Sequence, residues 1–248
     1  MQATEIAADI GTAWQNEPAK PVLEPLAIQP VNKITLDESS AKQKLAEFKV
    51  PVPLACVVMS AEDAVKNADE IGYPLVLKAL GIAHKTEVNA VRLNLKSAET
   101  VSEAASSLLE LGDRLYLEAM VEDVIAELIV GVTHDVQFGL VMTIGSGGIL
   151  VEIMKDSHTL VIPATRNQIE TVLSQLKSAP LLAGYRGKPK ADINAAVDAI
   201  MAIQQYAIST SNQLLELDVN PLLLCADGKG VFAADALIVN SLITPGEN

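Results

Sequence analysis

The stretch Glu216-Leu-Asp-Val-Asn220-Pro-Leu decides the fold, together with Asp235, which lies fifteen residues after Asn220 in Phe-Ala-Ala-Asp-Ala. Its alternating pattern predicts a β-strand. Residues two apart on a strand share a face, so Glu216, Asp218 and Asn220 should point the same way. We predict that an adjacent strand ending near Asp235 brings Asp218, Asn220 and Asp235 to one edge of a sheet.

Such a concentration of carboxylates predicts a bound cation. The carboxylates would repel one another unless a positive charge lay between them. Ligands that are all oxygen suit a hard cation such as Mg²⁺, which usually arrives with nucleotide phosphates. A strand with a solvated acidic face is the alternative that this segment by itself leaves open.

Composition excludes several classes of protein. The 248 residues can bury a substantial core, as one large domain or two small lobes. A net charge of −13 and 3 % aromatic residues argue against nucleic-acid binding. No apolar run approaches the roughly 20 residues of a membrane span, and the N-terminus lacks a secretory pattern. Cys56 and Cys225 lie far apart in apolar runs, which indicates buried thiols and a reducing cytoplasm.

The chain divides into three parts. Residues 1–32 are rich in proline and predict a leader or interdomain linker, residues 33–240 form the folded domain, and residues 241–248 form a tail. Thr35 and Glu38 have the spacing of a capping box, which predicts a helix from there to about Phe48. Helices alternate with short strands, so we predict an α/β or α+β fold with mixed sheets.

The remaining segments predict further elements. Strands are expected at 54–59, 75–78, 91–95, 115–120, 126–132, 138–144, 149–153, 214–219, 221–225 and 231–235, and helices at 60–71, 98–111, 169–176 and 192–209.

Two segments could contact an anion. Lys78 closes the apolar strand Leu75-Val-Leu-Lys78, and a buried lysine needs a partner such as phosphate. A lysine that extends to solvent is the alternative. Gly145-Ser-Gly-Gly148, between two apolar runs, lets backbone amides approach an anion. Its alternative is a plain hairpin turn.

Other polar residues lie close to these segments. His84, in the loop Gly81-Ile-Ala-His84-Lys-Thr-Glu87, could act as a nucleophile toward phosphorus, or could be an ordinary surface residue. Glu118 ends one predicted strand and Glu127 begins the next. These acids could orient a ribose, pair with a lysine, or be exposed.

Taken in order, several motifs resemble one family. They are Ile71-Gly-Tyr-Pro-Leu-Val-Leu-Lys78, Ala83-His-Lys-Thr-Glu-Val88, Val130-Gly-Val-Thr-His-Asp-Val-Gln-Phe-Gly139, Gly147-Gly-Ile-Leu-Val-Glu152 with Lys155-Asp156, Pro180-Leu-Leu-Ala-Gly-Tyr-Arg-Gly187, and Glu216-Leu-Asp-Val-Asn-Pro221. The chain resembles the ATP-grasp domain, the β subunit or C-terminal part, of the NDP-forming acyl-CoA synthetases. This is the ADP-forming acetate–CoA ligase family, related to succinyl-CoA synthetase.

The resemblance implies a fold and a reaction. It implies two lobes that clasp ATP or ADP with Mg²⁺, and a partner that is a CoA-binding and ligase domain or an α subunit, in a hetero- or homo-oligomer. The implied reaction converts acyl-CoA, ADP and phosphate to carboxylate, CoA and ATP. The composition, as described above, predicts neither nucleic acid nor a membrane as a partner.

The resemblance also implies roles for individual residues. His84 would be a phosphorylated relay on a loop, and Asn220 and Asp235 would hold Mg²⁺ with Asp218 nearby. The remaining nucleotide contacts would come from Lys78, Glu118, Glu127, Gly145, Gly147 and Gly148.

Two departures from the family pattern suggest alternatives. Asn89-Ala90 replaces a Gly-Gly pair, and Ser157-His158 replaces a segment that includes an arginine, for which Arg166 or His158 could substitute. One alternative is therefore a catalytically degenerate module with a regulatory or structural role. Another is a carboxylate ligase that acts through an acyl-phosphate without the phosphohistidine.

Overall fold

The computed structural model describes residues 32–81, 89–148 and 156–242, which fall into two compact units. The first unit contains residues 32–36, 41–51 and the described part of 123–242. The second contains residues 37–40 and the described part of 52–122. The predicted leader and tail lie almost wholly outside the described residues.

The first unit is built on a large sheet. Its strands are β1 (Lys33–Leu36), β6 (Ala126–Asp135), β7 (Gly139–Ser146), β8 (Ser157–Val161), β9 (Leu214–Leu224), β10 (Val231–Ala233) and β11 (Ala236–Ser241). The strand order is β1-β11-β9-β6-β7-β8, and β10 pairs with β9. The helices are α4 (Arg166–Gln175), α5 (Ala179–Leu182) and α6 (Ile193–Ser209), together with most of α1 (Glu38–Glu47).

Strand alternation gives this sheet one apolar face and one more polar face. Met142, Val132, Leu217 and Ile238 lie opposite one another on four neighbouring strands, and all are fully buried. Helix α6 packs against β6, β7, β9 and β10. The next row of residues points to the opposite face. That face carries the residues of interest below.

The second unit is a smaller sheet covered by two helices. Its strands β2 (Ala55–Val58), β3 (Leu75–Ala79), β4 (Val91–Leu95) and β5 (Leu115–Ala119) have the order β2-β5-β3-β4. Helices α2 (Ala61–Ile71) and α3 (Ala98–Leu108) pack together and against these strands. Ser60 and Ser97 cap the helices, and Gly72, at φ 90°, ends α2 as predicted.

Two details of the prediction are wrong. Every pairing between described strands is antiparallel, whereas mixed sheets were expected; hairpins such as β6–β7 require that direction. Thr35 does not cap α1, because it lies in β1 opposite Val239. Asp37 takes that role, since its Oδ1 accepts from the Ser40 N–H at 2.9 Å.

Other boundaries also differ. The two strands expected at 214–219 and 221–225 are one continuous strand, β9. Four described elements, β1, β8, α5 and β11, were not predicted from sequence. The strand expected at 149–153 lies outside the described residues. None of the helices in the described part of the chain has the length and hydropathy needed for a membrane span.

Candidate functional site

Lys78 lies in a buried cluster with two carboxylates in the second unit. Its Nζ is 2.7 Å from Oε1 of Glu38 and 2.6 Å from Oε1 of Glu118. All three residues are less than 8 % exposed. Lys78 therefore does not extend to solvent, and the alternative that it does is wrong. We call Lys78, Glu38 and Glu118 the lysine cluster.

Strand pairing explains how this cluster forms. Lys78 on β3 lies opposite Tyr116 on β5, and Glu118 lies two residues further along β5 on the same face. Glu38 enters from the first turn of α1. Burial, together with the charges of Glu118 and Glu38, raises the pKa of the Tyr116 hydroxyl well above its usual range.

Glu38 belongs to the lysine cluster, whereas the sequence pattern predicted that it would be the capping-box partner of Thr35. The capping-box spacing suggested that its side chain would reach back to the start of a helix. A buried lysine requires a counter-charge, and that requirement is the only sequence signal that could have led to Glu38. Glu38 and Lys78 are 40 residues apart, so no local spacing connects them.

The acidic cluster, which consists of Glu216, Asp218 and Asp235 with Asn220 beside them, lies in the first unit. β9 pairs with β11 on one side and β6 on the other, so these residues are at a central strand and not at a sheet edge. The Asn220 N–H donates to the Asp235 carbonyl oxygen at 3.2 Å. The predicted proximity of these residues is thus observed, although Asp235 precedes β11 and is not in a strand.

The electrostatics of the acidic cluster favour a cation. Burial raises the pKa of Asp218 to about 6, and the charges of Glu216 and Asp235 add to this shift. Among the described residues, no group donates a hydrogen bond to the Asp218 carboxylate. A positive ion would offset both the desolvation and the repulsion.

The donor set fits Mg²⁺ accompanied by a ligand. In the described part of the chain, no group of three or more His, Cys, Asp or Glu side chains is placed so that it could hold a metal ion. Mg²⁺ is usually bound through one or two carboxylates plus phosphates and water, and seldom by an all-protein cage. Two or three oxygens from Asp218, Asn220 and Asp235 match that pattern.

The glycine segment closes against β6. Gly145 and Ser146 belong to β7, so the expected turn does not begin at Gly145. The Gly147 N–H donates to the Glu127 carbonyl oxygen at 2.7 Å. A Cβ on Gly147 would be 2.8 Å from the Glu127 Cβ, so this close approach requires glycine.

Asp156 links the glycine segment, through Ser146, to the backbone of residues 177 and 178. Its carboxylate accepts from the Lys177 and Ser178 N–H groups, at 2.8 and 3.2 Å, and from the Ser146 hydroxyl. Burial opposes ionisation, but these hydrogen bonds outweigh it and hold the pKa of Asp156 below its usual value. The aspartate of the Lys155-Asp156 motif therefore anchors backbone. Sequence reasoning did not assign it this role.

The other predicted residues are distributed as follows. Glu118 is in the second unit and Glu127 in the first, so they are not neighbours on one sheet. His84 lies outside the described residues.

Arg166 is exposed and paired with Asp198 and Glu170, and His158 is half-buried on β8 opposite Ile144. Among the described residues, neither Cys56 nor Cys225 forms a disulfide bond, and Cys225 is buried.

Comparison with known proteins identifies the class. The sequence matches the ATP-grasp domain family over residues 28–239, so the chain belongs to that family. It is 34% identical over 212 residues to the β subunit of the ADP-forming acetate–CoA ligase II of Pyrococcus furiosus, a match that covers 82% of this chain and 90% of that subunit. The β subunit of ligase I from the same organism is also 34% identical, over 214 residues. The predicted resemblance is confirmed.

Solved structures agree with this assignment. The acetyl-coenzyme A synthetase 1 of Ca. Korarchaeum cryptofilum, described as dinucleotide forming, superimposes with a TM-score of 0.78 at 30% identity, over 83% of this chain and 93% of that one. A structure of the same enzyme with coenzyme A and Mg-AMPPCP has its phosphohistidine segment pointing towards the nucleotide binding site; its TM-score is 0.74 at 30% identity, over 83% of this chain and 92% of that one.

Proposed function

We propose that this chain is the nucleotide-binding, phosphoryl-transferring part of an ADP-forming acyl-CoA synthetase. The overall reaction is acyl-CoA + ADP + phosphate ⇌ carboxylate + CoA + ATP. The observation that carries the proposal is the acidic cluster beside Asn220, on the central strand of an ATP-grasp sheet. Glu216 and Asn220 are exposed and Asp218 is half-buried, so this face is partly solvated, and the burial of Asp218 beside two other carboxylates is what raises its pKa to about 6.

The acidic cluster would hold the metal. Asp218, Asn220 and Asp235 supply the protein oxygens, and bound Mg²⁺ would neutralise charge on the phosphates during transfer. The chain's own contribution is to present these oxygens from the rigid strand β9 and the residues just before β11. Preorganised oxygens need little rearrangement when the ligand arrives.

The remaining nucleotide contacts would come from the other predicted residues. Lys78 would contact a phosphate, with Glu118 holding its ammonium group in place and facing the ribose side. The glycine segment with Gly145, Gly147 and Gly148 would close on the phosphates, and Glu127, whose carbonyl oxygen already accepts from the Gly147 N–H, would orient the ribose. In this proposal the carboxylates of the lysine cluster hold the Lys78 ammonium group in position for the phosphate.

His84 would act as the phosphoryl relay. One imidazole nitrogen of His84 accepts the phosphoryl group from a histidine on the ligase part, and a terminal phosphate oxygen of ADP then takes it to form ATP. The relay requires that the loop of residues 82–88 can move. Asn89, at the end of this loop, has a φ of 53°, in the left-handed region that glycine adopts easily and asparagine tolerates. The first residue of the replaced Gly-Gly pair therefore keeps a glycine-like backbone.

The chain would act with a CoA-binding and ligase partner, either an α subunit or a fused domain. The similarity to two β subunits supports this, because those relatives are named as subunits of larger enzymes. We also propose a reducing, cytoplasmic setting, in which the thiols of Cys56 and Cys225 would stay reduced.

A catalytically degenerate module is the second candidate. The observation that favours it is Ala90, the other half of the replaced Gly-Gly pair. Ala90 is fully buried, and its carbonyl accepts from the Ala79 N–H at 2.9 Å, so it anchors one end of the loop to β3. A loop held in this way would have less freedom to carry a phosphohistidine.

Phosphoryl uptake from γ-labelled ATP with Mg²⁺ separates the two candidates. The wild-type chain is compared with His84→Ala, and with His134→Ala as a matched control from β6. Label that is acid-labile, base-stable and lost only in His84→Ala supports the relay. Absence of label in the presence of the partner and of measurable Mg·ATP binding supports the degenerate module.

A further inference from the structure

Glycine inside a β-strand weakens the strand, so its presence there needs a reason. The usual reasons are a positive φ, a bulge, or the close approach of another backbone or a ligand. In this chain, Gly145, inside β7, has such a reason, and so does Gly147, which directly follows β7. A Cβ on Gly145 would be 3.0 Å from the Asp156 carbonyl oxygen, and one on Gly147 would be 2.9 Å from the Glu127 carbonyl carbon.

Gly131, in the middle of β6, has none of the purely structural reasons. Its φ lies outside the left-handed region. The nearby irregularity of the β6–β9 pairing lies between Leu128 and Val130, and Gly131 itself is in register with Asp218. The nearest backbone atom to a Cβ built on Gly131 is the Leu217 carbonyl oxygen at 3.8 Å, an ordinary contact. Alanine would therefore fit at this position.

The side chain that faces Gly131 is Asp218. A Cβ on Gly131 would be 3.5 Å from Asp218 Oδ1, closer than to any other heavy atom within 4 Å. On the other side, Thr143 of β7 is in register with Gly131, and its hydroxyl is 3.2 Å from that of Thr159. Residues in register point to the same face, so Thr143, Gly131 and Asp218 form one row.

This row leaves a space over Gly131. Neighbouring strands are about 4.8 Å apart, so the backbones that carry Thr143 and Asp218 are separated by roughly 10 Å. Glycine places no side chain between the hydroxyl and the carboxylate. The space has an acceptor and donor hydroxyl on one side and an anionic oxygen on the other.

We propose that Gly131 is a positioning residue that keeps this space open for the metal-bound phosphate group of the nucleotide. The inference rests on the proposed function, because it assigns Asp218 to the metal. A methyl group at Gly131 would lie 3.5 Å from Asp218 Oδ1 and would take up room beside the carboxylate that would hold the metal and its phosphate ligand. Glycine at position 131 would lower the stability of β6, and on this proposal the chain keeps it because any side chain there would fill the space beside Asp218.

Gly131→Ala tests the proposal. We would measure the Mg²⁺ concentration that half-saturates ATP binding, and the free energy of unfolding in urea, for the wild type, Gly131→Ala and Gly112→Ala. Gly112 is a matched control, because its Cβ would also be 3.5 Å from an oxygen, that of the Leu80 carbonyl, and its φ is not left-handed. We expect the Mg²⁺ midpoint to rise roughly tenfold in Gly131→Ala, as for one extra methyl in a fitted site.

The outcomes are distinct. A raised midpoint in Gly131→Ala with undiminished stability, and no change in Gly112→Ala, supports the inference. An unchanged midpoint in Gly131→Ala overturns it, and so does a loss of stability that accompanies the loss of binding, since that result would show a structural role. A wild-type chain that binds ATP without any dependence on Mg²⁺ overturns the proposed metal site, and the inference with it.

Discussion

The ammonium group of Lys78 lies 2.7 Å from the carboxylate of Glu38, and both side chains are almost completely buried. Glu118 completes the contact from the neighbouring strand at 2.6 Å. Removing one member of a buried ion pair leaves a charge that water cannot reach. The lysine cluster should therefore stabilise the second unit as well as serve the proposed nucleotide site.

Lys78→Met should lower the free energy of unfolding by about 3–5 kcal/mol, the cost of leaving buried carboxylates without their cation. Urea denaturation measures this change. Lys44→Met is the matched control, because Lys44 pairs with Glu47 at 3.1 Å on the surface. The control should cost less than about 1 kcal/mol. Equal effects of the two substitutions would contradict the prediction.

Asp218→Asn should make the metal-free protein more stable. The raised pKa shows that ionised Asp218 is disfavoured in the folded state, so a neutral amide removes desolvation and repulsion. Because the carboxylate is partly exposed, we expect a gain of only about 1 kcal/mol in EDTA at pH 8.

The same substitution should weaken Mg·ATP binding at least tenfold, since it removes an anionic ligand. Calorimetric titration measures the affinity, and Asp113→Asn, on a side chain that is 97% exposed, is the control. A variant that is destabilised in EDTA, or that binds Mg·ATP as the wild type does, would show that Asp218 has a structural role only.

Gly147→Ala should destabilise the protein by about 1–3 kcal/mol, because the added Cβ would overlap Glu127 and force the segment to shift. Thermal or urea unfolding measures the loss. Gly131→Ala provides the comparison, since its Cβ meets nothing closer than 3.5 Å. If both variants lost the same free energy of unfolding, the close approach of Gly147 to β6 could not explain the destabilisation of Gly147→Ala.

The substitution Asp192→Asn should make the free energy of unfolding depend less on pH at acidic pH. The Asp192 carboxylate accepts from the Ala195, Gly228 and Gly230 N–H groups at 3.1, 2.9 and 3.0 Å, which ties α6 to the β9–β10 hairpin. Burial opposes ionisation, but these hydrogen bonds outweigh it and lower the pKa of Asp192.

The direction of this pH dependence follows from the lowered pKa of Asp192. The carboxylate's contribution to stability is present above about pH 4, the ordinary value, and is lost as the pH falls through the lower folded value. The wild type should therefore exceed Asp192→Asn in stability at pH 7, and the difference should shrink below pH 4. Urea midpoints from pH 7 to pH 2 measure it, with Asp227→Asn as a control on the same hairpin. A difference that grows in acid would contradict the assignment.

Local pattern was enough to find most elements. The runs at Leu75–Ala79 and Ala61–Ile71 were predicted to within a residue or two, because each has a strong apolar pattern and a serine or glycine boundary. The strands β1 and β8 were missed, since short half-exposed strands are defined by their partners on β11 and β7 and have little pattern of their own.

The candidate site was predicted in part. Asp218 and Asn220 were predicted together, because two-residue spacing on a strand determines a shared face. The position of β9 in the middle of the sheet was not predicted, since strand order is set by contacts distant in sequence.

The sequence by itself determined that this chain is an ATP-grasp domain with an acidic cluster on a strand, since ordered motifs and alternation are properties of the chain. The tertiary structure alone decided which residues meet. It paired Lys78 with Glu38 across 40 residues, and it placed the bare backbone of Gly131 beside Asp218. Both contacts depend on how distant segments pack, because a buried charge or an empty space is defined only by what surrounds it.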